Sequence, residues 1–290
     1  MRIAVITGVF PSLSETFVIN HVVALLDRGH DVTVFAFKSG GTAGAHDIVR
    51  ARGLDRMVRL LDPFIADTPV VRLLRRIGLL LTAGWWRPGL AFRAIDPRIG
   101  GRAALNLSLF TYAQAFRRPR AFDVVHCHFA WAGLIGTRLK KASVFESKLV
   151  VTFHGADVNV RQAIGYPRTR RLVFETADWF TANTEFTRQQ AIALGCPAER
   201  CSIWHMGVDT RLFEFRSRSV ADGETIRLFA IGRLIEKKVG RAGRAFVEQE
   251  FDLERCARVI DSLYEELASD GSRDLQHEPE RHLPIGESCE

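Results

Sequence analysis

Two short stretches end apolar runs with side chains that can donate, accept or carry protons. In Asp123-Val124-Val125-His126-Cys127-His128 the imidazoles stand at i and i+2, on one face of an extended strand. Leu149 to Phe153, LVVTF, reads as a central strand that empties into His154-Gly155-Ala156-Asp157. There Gly155 lets the backbone approach a ligand, and His154 and Asp157 suit hydrogen bonds to hydroxyl groups. The alternative is an ordinary turn capped by Asp157, with His154 satisfied internally. His126 and His128 supply two metal ligands where a site needs a third and a fourth position, so they are expected to line a pocket and no metal is assigned. A third stretch, Ile226 to Lys238, is a short apolar run closing at Gly232 and followed by Arg233, Glu236, Lys237 and Lys238. Cations at the carboxyl end of a buried strand suit a phosphate.

These groups must be held by elements whose order the sequence also gives. Ile3 to Thr7 is a β-rich run broken at Gly8. Ser12-Leu13-Ser14-Glu15 has the S-x-x-E form of a helix capping box. Phe17, Val18, His21, Val22, Leu25 and Leu26 then recur at helical spacing up to Arg28-Gly29, and Asp31 to Phe37 is a second strand. Strand, helix, strand predicts a βαβ unit and hence a parallel, doubly wound, Rossmann-like α/β sheet. Gly8 stands outside any G-x-G-x-x-G fingerprint, which argues against a nicotinamide or flavin oxidoreductase.

Further along, a short helix is expected over Asp47 to Gly53 and a strand over Met57 to Leu61. A helix follows within residues 68–87, whose aliphatic stripe carries Arg72, Arg75, Arg76 and Trp85-Trp86. It reads either as a helix half-buried on the sheet with a solvated Arg face, or as a basic amphipathic helix that meets an anionic membrane surface. Phe129 to Lys141 is a helix starting at the pocket. A helix near Tyr166 to Thr176, a strand at Trp179 to Ala182, a helix capped at Asn183-Thr184 and a strand at Ser202 to His205 complete the pattern.

With 290 residues, 47% hydrophobic content and a net charge of +7, the chain can bury a large core and favours anionic partners. No nucleic-acid-reading motif accompanies the charge. Five scattered cysteines predict a reducing compartment, hence the cytoplasm, and no apolar run reaches the roughly 20 residues of a spanning helix.

With these residues in hand, the chain resembles glycosyltransferase family 4, of the two-domain GT-B fold, and within it the transferases that assemble bacterial exopolysaccharide. The resemblance is carried by FPSLSETFVINHV, LLDRGHDVTVFA, HCHFAWAG, TFHGADV, TANTEFTRQQ, MGVDT and GRLIEKK, covering Met1 to Lys238. It implies retaining, metal-independent and cofactor-free transfer of a hexosyl group from a nucleotide-diphosphate sugar to a lipid-linked saccharide, on the inner membrane face. It assigns Gly8, Arg233 and Lys238 to the donor phosphates. His154 contacts the donor sugar as the catalytic candidate, with Asp157 holding its loop. Ser14, Glu15, His126 and His128 line the acceptor side.

The resemblance also implies a gap. Residues 1–215 form the acceptor domain, 216–225 a linker and 226–239 the opening of a donor domain. Residues 240–268 match the family's terminal helix, expected to pack back on the first domain, and 269–290 are a polar tail. Ile226 to Ala268 offers roughly forty positions where an independent α/β domain needs about 100. The expectation is a vestigial second domain and weak or absent nucleotide-sugar binding, with a non-catalytic saccharide- or protein-binding remnant as the alternative.

Overall fold

The structure is a computed structural model that describes residues 1–40, 47–116, 122–159 and 167–207. Its frame is a seven-stranded, wholly parallel sheet in the order β3-β2-β1-β4-β5-β6-β7. The strands are β1 (Arg2–Phe10), β2 (Asp31–Ser39), β3 (Val58–Leu60), β4 (Val124–His128), β5 (Lys148–Phe153), β6 (Trp179–Ala182) and β7 (Cys201–Ile203). The expected doubly wound α/β sheet is present. Its strand order reverses between β1 and β4, and in such sheets the crevice outside the carboxyl ends at that switch is where ligands bind.

The first helix, α1 (Thr16–Asp27), lies on one face, where Val18, Ile19 and Val22 close a core with Ile3, Val5, Val32, Val34 and Ala36. Between β2 and β3 comes α2 (Asp47–Arg52). The other face is covered by α3 (Pro69–Ala83), α4 (Pro88–Ile95), the short turns α5 (Pro97–Gly100) and α6 (Arg102–Leu105), α7 (Ser108–Ala115) and α8 (Ala130–Lys141). Three further helices, α9 (Ala156–Asn159), α10 (Pro167–Thr176) and α11 (Glu185–Ala193), follow β5 and β6.

Helix α8 approaches the sheet closely. A Cβ at Gly133 would stand 2.7 Å from Val151 Cγ1, and one at Gly136 would stand 2.7 Å from Cys127 Sγ, so the glycines let the helix axis sit directly on β4 and β5. At the start of α11, Thr184 accepts the Thr187 N–H at 3.1 Å, as its sequence position predicts.

Three expectations are corrected here. Gly8 does not break the first strand: β1 continues to Phe10, and a Cβ added at Gly8 would stand 3.4 Å from the Trp131 ring. The S-x-x-E box does not close, because Glu15 itself stands at the helix start without a side-chain cap and the Ser12 hydroxyl meets Ser14 at 3.3 Å. On α3 the polarity is inverted. Arg76 is buried, paired with Asp62 at 2.5 Å and donating to the Asn106 carbonyl at 2.9 Å, and Arg72 donates to the Ile65 and Asp67 carbonyls. Arg75 pairs with Asp67 at 3.1 Å. The arginines therefore tie the helix to its own domain, and the apolar residues Leu74, Leu81, Trp85 and Trp86 face solvent.

The linker, the donor-domain opening and the helical segment expected over residues 216–268, and the tail after them, lie outside the described residues, as do Arg233 and Lys238.

Candidate functional site

Side chains in register on adjacent parallel strands share a face, and β4 to β7 use that fact to separate chemistry from core. On one face the row Cys127, Val151, Phe180, Cys201 is apolar and buried. On the other the row His128, Thr152, Thr181, Ser202 is polar. His126 lies on this second face two residues before His128. His21, on α1, leans over the same rows.

The histidines are joined. His21 Nδ1 lies 3.0 Å from His128 Nε2, and His128 Nδ1 lies 3.0 Å from His154 Nε2, so the three rings form a continuous hydrogen-bonded chain. Each link requires one protonated and one bare nitrogen, which neutral imidazoles provide. His126 and His128 stack with centroids 4.9 Å apart, and His126 Nε2 meets the Thr152 hydroxyl at 2.6 Å, itself 2.6 Å from the Thr181 hydroxyl. Trp204 packs edge-on to His21 at 4.7 Å.

Burial pulls the His21 and His154 imidazoles down from 6.5 to about 4. It also holds His126 and His128 well below the ordinary histidine value, with neighbouring imidazoles adding to the effect. His126 keeps an edge open to solvent, but rings surround the rest of it. At neutral pH the cluster is uncharged: a set of paired donors and acceptors beside aromatic faces.

His154 is placed by its loop. Asp157 is buried, and its Oδ2 accepts the His154 N–H at 2.9 Å. Burial raises the Asp157 pKa, while N–H groups from His154 and Ala130 oppose the rise. Phe17 and Phe129 pack against the His154 ring at 4.4 and 4.7 Å. Phe129, at the junction of β4 and α8, carries φ 76°, a strained value for a residue with a side chain. His154 Nε2 is engaged by His128, so a ligand would be met through Nδ1.

A groove of about 680 Å³ opens beside the cluster, lined by His21, His126, Thr181, Trp204 and Met206 together with the side of α1. Of the residues singled out from sequence, the structure brings together His126, His128, His154 and Asp157. Gly8 lies in β1 against Trp131, and Ser14 and Glu15 lie in the turn before α1, with Ser14 exposed. His21, Phe17 and Trp204 were not among the candidates. A histidine four residues after Phe17 on the buried side of an amphipathic helix was the available signal.

The family model for Glycosyltransferase Family 4 matches residues 14–212, well over half of the chain. The chain belongs to glycosyltransferase family 4. Its curated relatives include the amylovoran biosynthesis glycosyltransferase AmsK of Erwinia amylovora, 29% identical over 243 residues that cover 82% of this chain and 58% of that protein. Another is the putative colanic acid biosynthesis glycosyltransferase WcaL of Salmonella typhimurium, 30% identical over the same shares. This family 4 chain thus spans 58% of the length of these relatives. Among solved structures, Anabaena Alr3699/HepE in complex with UDP and glucose is similar at 15% identity and a TM-score of 0.45, covering 74% of this chain and 47% of that one.

Proposed function

We propose that residues 1–215 of this family 4 chain form the acceptor side of a hexosyl transfer from a nucleotide-diphosphate sugar to a lipid-linked saccharide in surface-polysaccharide synthesis. The observation that supports this best is the meeting of His21, His126, His128 and His154 at the carboxyl edge of β4 and β5, beside the groove. An uncharged, hydrogen-bond-rich floor with half-buried ring faces is complementary to a saccharide, which presents hydroxyls on its rim and C–H groups on its faces. Relatives named for exopolysaccharide assembly support the same reading.

In this proposal Asp157 positions the His154 loop, His154 meets the transferred sugar and His126 meets an acceptor hydroxyl, while His128, expected beside it, is buried with both ring nitrogens taken by His21 and His154 and acts by holding those two rings. Ser14 and Glu15 stand at the rim. Gly8, Arg233 and Lys238 belong to the donor phosphates, where the guanidinium and ammonium would offset charge gathering on the departing diphosphate. Misplacement of a donor by about an ångström can cost about 100-fold in rate, so turnover in this proposal depends on how firmly the residues after Lys238 hold the nucleotide. The short stretch after Lys238 equally favours a second reading, a chain that binds saccharide or a protein partner without turnover.

The acceptor is carried by a lipid, and α3 offers a contact with a bilayer. Leu81, Trp85 and Trp86 are 75%, 83% and 77% exposed, a cost that a membrane interface would remove. Among the described residues no helix is long and apolar enough to cross a membrane, so the contact proposed is peripheral. Saturation-transfer NMR with soluble oligosaccharides tests the groove. Transfer is expected to the saccharide and to vanish in Trp204→Ala, and persistence of an equal signal in that variant would remove the groove from the account.

A further inference from the structure

The histidine cluster has a capacity that hydroxyl binding does not use. His21, His126 and His128 each direct a ring nitrogen into one small volume, and these three nitrogens lie within 4.8 Å of one another. His21 Nδ1 and His128 Nε2 are already 3.0 Å apart. Nitrogens on a tetrahedral zinc ion, with bonds of about 2.0–2.1 Å, stand roughly 3.3 Å from each other. One pair is therefore at ligand spacing, and a small ring movement brings in the third.

The ligand chemistry fits as well. An imidazole binds a metal through a bare ring nitrogen, which each of the three can offer. An all-nitrogen set favours zinc, nickel or copper over magnesium or calcium, which seek oxygen. The surroundings resemble those of functional histidine sites, in which a ligating ring has its other nitrogen fixed by a hydrogen bond. His128 Nδ1 is fixed by His154 Nε2 at 3.0 Å, and the nearby Thr152 hydroxyl orients His126 at 2.6 Å, backed by Thr181. The ligands come from two rigid elements, α1 and β4. His21 and His126 also line the groove, which gives a fourth ligand a way in.

We propose that His21, His126 and His128 form a binding site for a divalent transition-metal ion, zinc or a metal of like preference, with a fourth position open to the groove. Three neutral ligands leave the ion its full double charge in a buried site. The fourth ligand is accordingly a water prone to ionise, or a polar group such as a saccharide hydroxyl. All three ligands lie on α1 and β4, so the presence of the site is independent of whether the chain transfers sugar.

The test uses the full chain without an affinity tag, stripped by chelator and then titrated with zinc against a chromophoric competitor. One zinc per chain is expected, with a dissociation constant of about 1 μM or tighter. Cobalt in its place should give the intense visible absorption of a four-coordinate site. His21→Ala should weaken zinc binding by about 1,000-fold or more, beyond the roughly 10–100-fold that loss of a hydrogen-bonded supporting residue costs. His205→Ala, which changes an exposed histidine of the same groove outside the cluster, should leave it unchanged. Circular dichroism checks that the variants fold; if His21→Ala does not, His21→Gln keeps the helix face filled and answers the same question. Absence of a saturable one-to-one site, or undiminished binding in the folded His21 variant, would overturn the proposal.

Discussion

His154 owes its position to Asp157, because the carboxylate that accepts its N–H is buried and lies three residues along the same loop. Asp157→Ala removes that acceptor and frees the loop while leaving the imidazole in the chain. Saccharide affinity is expected to fall by about 10-fold or more, in line with the ~1.5–3 kcal/mol of a hydrogen bond to a charged group. His154→Ala should lower it further, and NMR titration with a soluble oligosaccharide measures both; unchanged affinity in Asp157→Ala would detach the loop from the site. His126, His128, His154 and Asp157 were legible from sequence because each ends or follows an apolar strand, where parallel sheets expose side chains to a crevice. His21 and Trp204 were not, because they arrive from a helix and from the segment after β7. Only the folded register brings His21 Nδ1 within 3.0 Å of His128. The expected strand break at Gly8 has a similar cause: a glycine after an apolar run looks like a strand end, yet β1 continues to Phe10.

At the scale of elements, the junction of α8 with β4 and β5 sets the site, since His128 and the strained Phe129 lead directly into that helix. Gly→Ala within a helix ordinarily stabilises by about 1 kcal/mol. At Gly136 the added methyl would meet Cys127 and Leu149 at 2.7 and 3.0 Å, so the sign should reverse, with a net loss of about 1–3 kcal/mol in urea unfolding. A midpoint shift to higher urea would contradict the packing described. Helix α3 gives a paired contrast. Arg76→Ala strands a buried Asp62 and should cost about 3–5 kcal/mol, whereas Arg75→Ala breaks a pair whose arginine is largely exposed and should cost less, about 1. Amphipathic periodicity predicted α3 correctly but not which side faces in, because spacing alone does not reveal that Asp62 and the Asn106 carbonyl wait beneath the arginine. The helices between Pro88 and Ala115 passed unnoticed although Pro88 and Pro97 both mark first turns, and Asp96 accepts the Arg98 N–H as a cap.

Across the whole molecule, Asp178 ties β6 to its neighbours and gives folding a pH dependence. Burial alone would raise its pKa, but the Leu149 N–H at 2.8 Å and the Lys140 ammonium outweigh it and hold the carboxyl below 3.8. A carboxyl depressed in the folded state contributes stability that is present above the unfolded value and is lost as pH falls through the folded one. Asp178→Asn should therefore lower stability at neutral pH and flatten its decline below about pH 4. An unaltered acid limb in thermal melts would count against the tie. The parallel sense was readable from alternation of apolar runs and helical periods, since β-α-β crossovers leave one hand open, but the strand order came only with the structure. For the proposed role of the described half, one experiment is decisive. Calorimetric titration of the full chain with soluble acceptor-type oligosaccharides and with UDP- and GDP-sugars compares the two sides directly. Saturable saccharide binding that disappears in His128→Ala, with no nucleotide-sugar binding at micromolar concentrations, is the predicted result. Micromolar nucleotide-sugar binding, with no response to saccharide, would contradict it.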